Sequence, residues 1–295
     1  MTGAGRPPDS FATPPQPRPE MEVATPRLSN LQVRVLTAAV GIPVLLALIY
    51  IGGWPFAVAA GIIAFLAALE FFHGWLLPTM PISAALAQAP AFVVIAAIVA
   101  GAHADGRLVV AAVVLAAMLA AAGYSGLNVF GPRKPYRVLS WSLLYIGVLF
   151  SCIVLLRGVE GGRDWVYLGI LVTFAVDTGA YAVGRTIGKH KLAPRISPGK
   201  TREGAVGGYI AGVAAVLVLN ELFETGVAAI TMLPFALVMP VLAQAGDLFE
   251  SWMKRRMGIK DSSGLVPGHG GFLDRVDSLL FVIPALYLFL QLRVL

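Results

Sequence analysis

Nine mostly apolar stretches follow one another from Val33 to the C-terminus, and they limit what this chain can fold into more than any other feature. They run roughly over 35–51, 55–72, 82–101, 108–122, 138–156, 165–183, 205–219, 227–245 and 278–292. Each approaches the ~20 residues that a helix needs to cross a bilayer core, although the fourth and seventh are short. Backbone groups in lipid have to be satisfied within the segment, so every stretch is expected to be a helix. The many Ala and Gly residues in them favour close helix packing. Only 13% of residues are charged, against about 25% in an average soluble domain. The expected fold class is all-α, a polytopic integral membrane protein with about nine transmembrane helices.

The basic residues orient this bundle. If the N-terminus is cytosolic, nine crossings put all of the 22 Lys and Arg on the inside except Arg107, Arg157, Arg163 and Arg293. That is the positive-inside pattern. The far-side loop with Glu221 and Glu224 is acidic. The net charge of +6 sits in short loops between spans, which points to topology and to small phosphate ligands, not to nucleic acid. The lone Cys152 excludes an internal disulfide and a cysteine-based zinc cluster. The first apolar run follows about thirty polar residues, later than a signal peptide core usually begins.

The domain organisation follows. Residues 1–30 are rich in proline and poor in large apolar side chains, so a disordered cytosolic tail is expected. Residues 31–160 supply the N-terminal transmembrane helices. Residues 161–295 hold the remaining helices and two long inside loops, 185–204 and 247–277, where Lys/Arg, carboxylates and glycines mix and where function is expected.

In the second loop, Lys254, Arg255, Lys260 and Arg275 can meet phosphate oxygens. Gly268, Gly270 and Gly271 around His269 let backbone approach a ligand and turn N–H groups toward an anion. Asp261, Asp274 and Asp277 are hard oxygen ligands suited to Mg²⁺, and a helix start would put Asp274 and Asp277 on one face. Phosphate, metal and a tight turn together suit nucleotidyl or phosphoryl transfer. The plainer alternative is an ordinary basic loop with turn glycines, which leaves the sequence His269-Gly270-Gly271 followed by Asp274-Arg275-Val276-Asp277 unexplained.

A second constellation begins with Asp177, two helical turns before Arg185 and so about 10 Å below the membrane surface. An ionisable group at that depth marks a functional site, or else a salt bridge to a helix neighbour. Tyr181 and Arg185 follow on nearly the same face. Beyond them come Ser197, Lys200, Thr201 and Glu203. Gly199-Lys200-Thr201 is not a Walker A loop, because Pro194 stands where that motif needs its first glycine. Lys200 still serves as a point charge for phosphate, with Ser197 and Thr201 as hydroxyl donors. The third constellation is Asp247, Glu250 and Lys254, which share a face if the eighth helix continues. Asp247 is a further candidate metal ligand, and Glu250 either joins the site or pairs with Lys254. Glu70 and His73 have no motif around them, so snorkelling or local hydrogen bonding is the expectation.

The segment 251–277 closely resembles the signature of the phosphatidate cytidylyltransferases, or CDP-diacylglycerol synthases. Its elements are Ser251, Lys254-Arg255, Lys260-Asp261, Pro267-x-His269-Gly270-Gly271 and Asp274-Arg275-Val276-Asp277. Val266 stands where the family usually has Leu or Ile. Ser197-Pro198-x-Lys200-Thr201-x-Glu203-Gly204 and Gly246-Asp247 are similar to the same family. The resemblance covers the chain from about Asp177 onward, and the first five spans match only in hydropathy.

The resemblance implies transfer of CMP from CTP to phosphatidate in phospholipid biosynthesis, at a site facing the cytosol in the inner cell membrane. It implies Mg²⁺, held or surrounded by Asp247, Asp261, Asp274 and Asp277, and leaves open a monovalent cation such as K⁺. Catalytic roles fall to Lys260, Asp261, His269, Asp274, Arg275 and Asp277, with His269 either positioning the triphosphate or fixing the turn. Substrate contacts fall to Asp177, Tyr181, Arg185, Ser197, Lys200, Thr201, Glu203, Lys254, Arg255, Gly270 and Gly271. The expected partners are CTP, phosphatidate and membrane lipid, without nucleic acid. Oligomeric state stays open, a homodimer included. The rivals are a CTP-dependent kinase of a membrane isoprenol and, less favoured, an anion transporter, which the lack of an internal repeat argues against. The Asp-Gly-x-x-Ala-Arg motif of the CDP-alcohol phosphotransferases is absent from the sequence.

Overall fold

The chain folds as a bundle of long helices whose functional loops gather at one end. The structure, a computed structural model, describes residues 30–76, 89–109, 111–112, 115–116, 118, 133–268 and 270–294. The helices are α1 (Asn30–Ile51), α2 (Gly53–Leu76), α3 (Ala89–Gly101), α4 (Arg133–Ser142), α5 (Leu149–Gly158), α6 (Gly162–Ile187), α7 (Arg202–Leu222), α8 (Ala229–Met257), α9 (Leu273–Val276) and α10 (Leu279–Val294). Among the described residues, six helices are long and apolar enough to cross a membrane, and the stretch Leu279–Leu292 is a shorter apolar helix. The expected third and fourth spans lie only partly within the described residues. The proline-rich tail, apart from Asn30, lies outside them.

Helix α4 and α5 form one span interrupted by a π-helical segment, Leu143–Val148, in which the Leu149 N–H reaches Leu144 O. Such wide turns are often found at functional sites. This one presents Tyr145 to an aromatic layer of Phe249 at 5.3 Å, Phe71 at 6.3 Å and Phe281 at 6.4 Å between ring centroids. The layer joins α2, α8 and α10 beneath their loop ends. Edge-to-face aromatic pairs add about 0.5–1.5 kcal/mol each beyond area burial.

Small residues set the close packing between α6 and α7. A Cβ on Gly179 would lie 2.9 Å from Gly207 O, and one on Gly208 would lie 2.7 Å from Val176 O. The two backbones therefore approach to a distance that any larger residue would block.

Between α6 and α7 the chain forms an antiparallel hairpin that hydropathy alone did not foretell. Its strands are β1 (Lys191–Ala193) and β2 (Ser197–Thr201), paired Lys191 with Thr201 and Ala193 with Ser197. Thr201 ends β2 and caps α7, its Oγ1 accepting from Gly204 N at 3.1 Å. Helix α8 runs twelve residues past the expected end of its span. This extension keeps Asp247, Glu250 and Lys254 on one continuous helix.

Helix α1 shows most of its apolar surface to the outside, as a lipid-facing helix should. It is held at both ends. Arg157 Nε donates to Ile49 O at 2.7 Å, and Thr37 Oγ1 donates to Pro267 O at 3.1 Å at the functional end.

Candidate active site

Two cavities adjoin at the functional end and share Asp177 and Asp247. The first, about 540 Å³, is lined by Arg34, Asp177, Asp247, Glu250, Lys254, Asp261, Gly268, Gly270, Asp274, Arg275, Asp277 and Ser278. The second, about 500 Å³, has Asp177, Tyr181, Arg185, Ser197, Lys200, Thr201 and Asp247 on its walls together with Ala180, Leu192, Ala205 and Leu248. One chamber is thus dominated by charge, and the other mixes basic and hydroxyl groups with apolar side chains.

Asp247 sits on the boundary between them and pairs with Lys200 of β2. Asp277 follows α9, and its carboxylate accepts from Ser278 N at 2.6 Å. Burial pushes the Asp277 carboxyl up to about 7, and repulsion from Asp247 and Asp177 adds to that shift. The three aspartates therefore face common space closely enough to feel one another's charge.

Asp274 stands differently. Its Oδ1 accepts from Lys254 Nζ at 2.9 Å, and its Oδ2 accepts from Gly271 N at 2.9 Å and Ser262 N at 3.2 Å. Burial works against its charge, but the neighbouring Glu250, whose own carboxyl burial holds protonated, the Gly271 N–H and Lys254 outweigh it and hold the carboxyl at about 2. Gly270 adopts φ +84°, and a Cβ there would lie 2.7 Å from Asp274 Oδ2. The glycine gives both the left-handed turn and the room for this carboxylate.

These arrangements sort the aspartates by what they can hold. Asp274 has its oxygens committed to protein donors and so works as a brace for the loop. Asp247 and Asp277, with Asp177 beside them, are hard oxygen donors crowded by like charge, and a divalent cation would offset that crowding. Among the described residues no three His, Cys, Asp or Glu side chains form a ready-made cage. Mg²⁺ does not need one, since it is usually held by one or two carboxylates with water and substrate phosphate completing its shell. The donor set fits that ion.

The remaining sequence candidates divide as follows. Lys254, Asp261, Gly270 and Arg275 reach the first cavity, and Tyr181, Arg185, Ser197, Lys200 and Thr201 reach the second. Arg185 Nη1 donates to Tyr181 Oη at 2.7 Å. Lys260, Glu203, Arg255 and Gly271 line neither. Glu203 instead accepts from Lys189 N at 3.1 Å and from His190 N, and its Oε1 lies 2.5 Å from His190 Nδ1, fixing the approach to the hairpin. Arg255 Nε donates to Ile196 O at 3.2 Å, tying the hairpin turn to α8. His269 lies outside the described residues.

Two residues line this site and two lie near it that motif spacing passed over or left undecided. Arg34 of α1 reaches the first cavity. Glu250 pairs with Lys254 at 2.7 Å, and its other oxygen is buried without a hydrogen-bond partner among the described residues. Tyr145 Oη is buried in the same condition. Glu70 lies beneath the signature loop, bonded to it. Arg34, Glu70 and Tyr145 come from the N-terminal half, where only depth in the membrane could have singled out Glu70.

The chain matches the cytidylyltransferase family over residues 32–293. It belongs to that family. The match reaches from the first helix to the last, so the cytidylyltransferase fold includes the N-terminal helices that hydropathy alone had described. Curated relatives agree. A phosphatidate cytidylyltransferase of Staphylococcus saprophyticus is 32% identical over 260 residues, 88% of this chain and 99% of the relative. Phosphatidate cytidylyltransferases of Bacillus subtilis and Staphylococcus epidermidis are 40% and 42% identical over 150 and 149 residues, half of this chain and 56% of each relative.

Proposed function

We infer that this cytidylyltransferase moves the cytidylyl group of CTP onto phosphatidate, forming CDP-diacylglycerol and pyrophosphate. The observation that carries the reading is the pair of adjoining cavities with Asp177 and Asp247 between them. One suits a water-soluble triphosphate, and the other suits a headgroup that stays attached to apolar chains. The names of the curated relatives support the same substrates.

In this reading a phosphatidate phosphate oxygen attacks the α-phosphorus of CTP. A new P–O bond forms, the α–β bridging bond breaks, and the electron pair leaves with pyrophosphate. The attacking group is already anionic, so no protein nucleophile is required. Lys200, Arg185 and Ser197 hold the lipid phosphate in the second cavity, while Arg275, Arg34 and Lys254 offset charge in the first. Mg²⁺, bound at Asp247 and Asp277, would supply charge neutralisation on the phosphoryl oxygens and alignment of the triphosphate. The site opens toward the cytosol of the inner membrane in this account, in keeping with the basic residues gathered at that end of the bundle.

The test supplies purified protein with phosphatidate, Mg²⁺ and CTP labelled at either the α- or the γ-phosphate. The α-label should enter lipid and the γ-label should leave as pyrophosphate. Entry of γ-label into lipid would instead identify a CTP-dependent kinase.

A further inference from the structure

The carboxylate of Glu70 is buried, 3% exposed, near the functional end of α2. It lines neither cavity. Four donors surround it, two on each oxygen. Oε1 accepts from Ser263 Oγ at 2.5 Å and Phe272 N at 3.0 Å. Oε2 accepts from Ser262 Oγ at 3.1 Å and Leu273 N at 2.8 Å. A buried carboxylate is costly unless its lone pairs are met, and hydrogen bonds to a charged acceptor are the strong ones. These donors lie about 190 to 200 residues away in the chain and come from both ends of the loop that follows α8.

That placement closes the neck of the loop. Ser262 and Ser263 stand where the loop leaves, and Phe272 and Leu273 stand where it returns. Asp274 clasps the same neck from the other side, accepting from Ser262 N and Gly271 N. A Cβ on Gly271 would lie 2.5 Å from Glu70 Oε2. The second glycine of the pair is therefore the gap through which the Glu70 carboxylate reaches the backbone. Phe272 leads directly into α9, which begins at Leu273, carries Asp274 and Arg275 and is followed by Asp277.

We propose that Glu70 is a positioning residue for cytidylyl transfer, a clamp from the N-terminal helices that sets the loop and α9, and with them the nucleotide-side wall of the site. This rests on the reading of the first cavity as the nucleotide chamber. The carboxylate is needed because all four neighbours donate. Glu70→Gln keeps the size but turns an amide N–H₂ toward two of them, and the backbone N–H groups of Phe272 and Leu273 cannot reverse their roles.

The test compares full-length wild type, Glu70→Gln, Glu70→Asp and Ser263→Ala in detergent, normalised to folded protein. Glu70→Gln should lower kcat/KM for CTP at least tenfold and leave KM for phosphatidate within twofold. Glu70→Asp should recover part of the loss, and Ser263→Ala should lower kcat/KM for CTP about threefold. Amide exchange read on the peptide 262–273 should be at least tenfold faster in Glu70→Gln. Exchange equal to wild type in that peptide overturns the clamp whether or not phosphatidate is the substrate. So does a loss of activity that tracks only the folded fraction. If Glu70→Gln does not fold, Ser263→Ala with unchanged kcat/KM for CTP overturns it. Wild type that transfers no label to phosphatidate refutes the function alone, and the exchange measurement still decides the clamp.

Discussion

Lys254 Nζ lies 2.9 Å from Asp274 Oδ1, with both side chains largely withdrawn from solvent. The lysine also reaches Glu250 Oε2 at 2.7 Å, one helical turn back on α8. This ion cluster fastens the signature loop to the long helix that carries Asp247. Without Asp274, Lys254 keeps Glu250, but the N–H groups of Gly271 and Ser262 lose their acceptor, each unmet buried donor costing about 1–3 kcal/mol. Asp274→Ala should therefore destabilise the protein by about 3 kcal/mol, visible as a lower thermal midpoint in detergent, as well as losing activity. An unchanged midpoint would mean that Asp274 is not a brace.

Asp277 should behave in the opposite way. Its carboxyl ionises at about 7 in the folded protein against an ordinary 3.8. The folded state therefore keeps a proton that the unfolded chain gives up between about pH 4 and pH 7, and the stability from this group declines as pH rises through that window. Asp277→Asn should raise the metal-free thermal midpoint relative to wild type at pH 8 and lose nearly all of that advantage at pH 4. The same variant should be inactive, since the site needs the ionised form. A midpoint difference independent of pH would contradict the assignment.

Lys200 should matter to chemistry more than to folding. It pairs with Asp247 at the edge of both cavities and is partly open to solvent. Lys200→Gln should reduce turnover about a hundredfold, the scale of losing one preorganised electrostatic group, with a thermal midpoint close to wild type. Steady-state rates with varied phosphatidate would check this, and turnover within threefold of wild type would sink it.

The seam between α6 and α7 predicts a purely structural defect. Gly208→Ala would bring a Cβ to 2.7 Å from Val176 O and 2.9 Å from Ala180 Cβ. Forcing the helices apart should cost about 1–3 kcal/mol. Melting in detergent measures it.

Much of this architecture was legible in the sequence because lipid leaves the backbone so few choices. The helical state of the six long spans among the described residues followed from hydropathy, and the grouping of Asp247, Asp261, Asp274 and Asp277 followed from the family resemblance, whereas depth marked Asp177 without placing it beside them. The hairpin of β1 and β2 did not, since Lys191–Ala193 and Ser197–Thr201 are short and lack an alternating apolar face. Arg255 has the residue type of a phosphate ligand and Glu203 falls within a family-like motif, yet Arg255 donates to the Ile196 and Ile259 carbonyls and Glu203 accepts from Lys189 and His190. Spacing reports chemistry and leaves direction open. Glu70 was hidden for another reason. Its meaning lies in donors about 190 residues away, and no local pattern encodes a contact of that range.

Cytidylyl transfer in this protein is a single direct displacement between two substrates held on either side of Asp177 and Asp247, without a covalent enzyme intermediate. The most direct measurement uses CTP made chiral at the α-phosphorus with one sulfur and follows its configuration into the lipid product. Inversion is expected, the outcome of one in-line attack by the phosphatidate oxygen. Retention would require two displacements through a protein nucleophile and would contradict it.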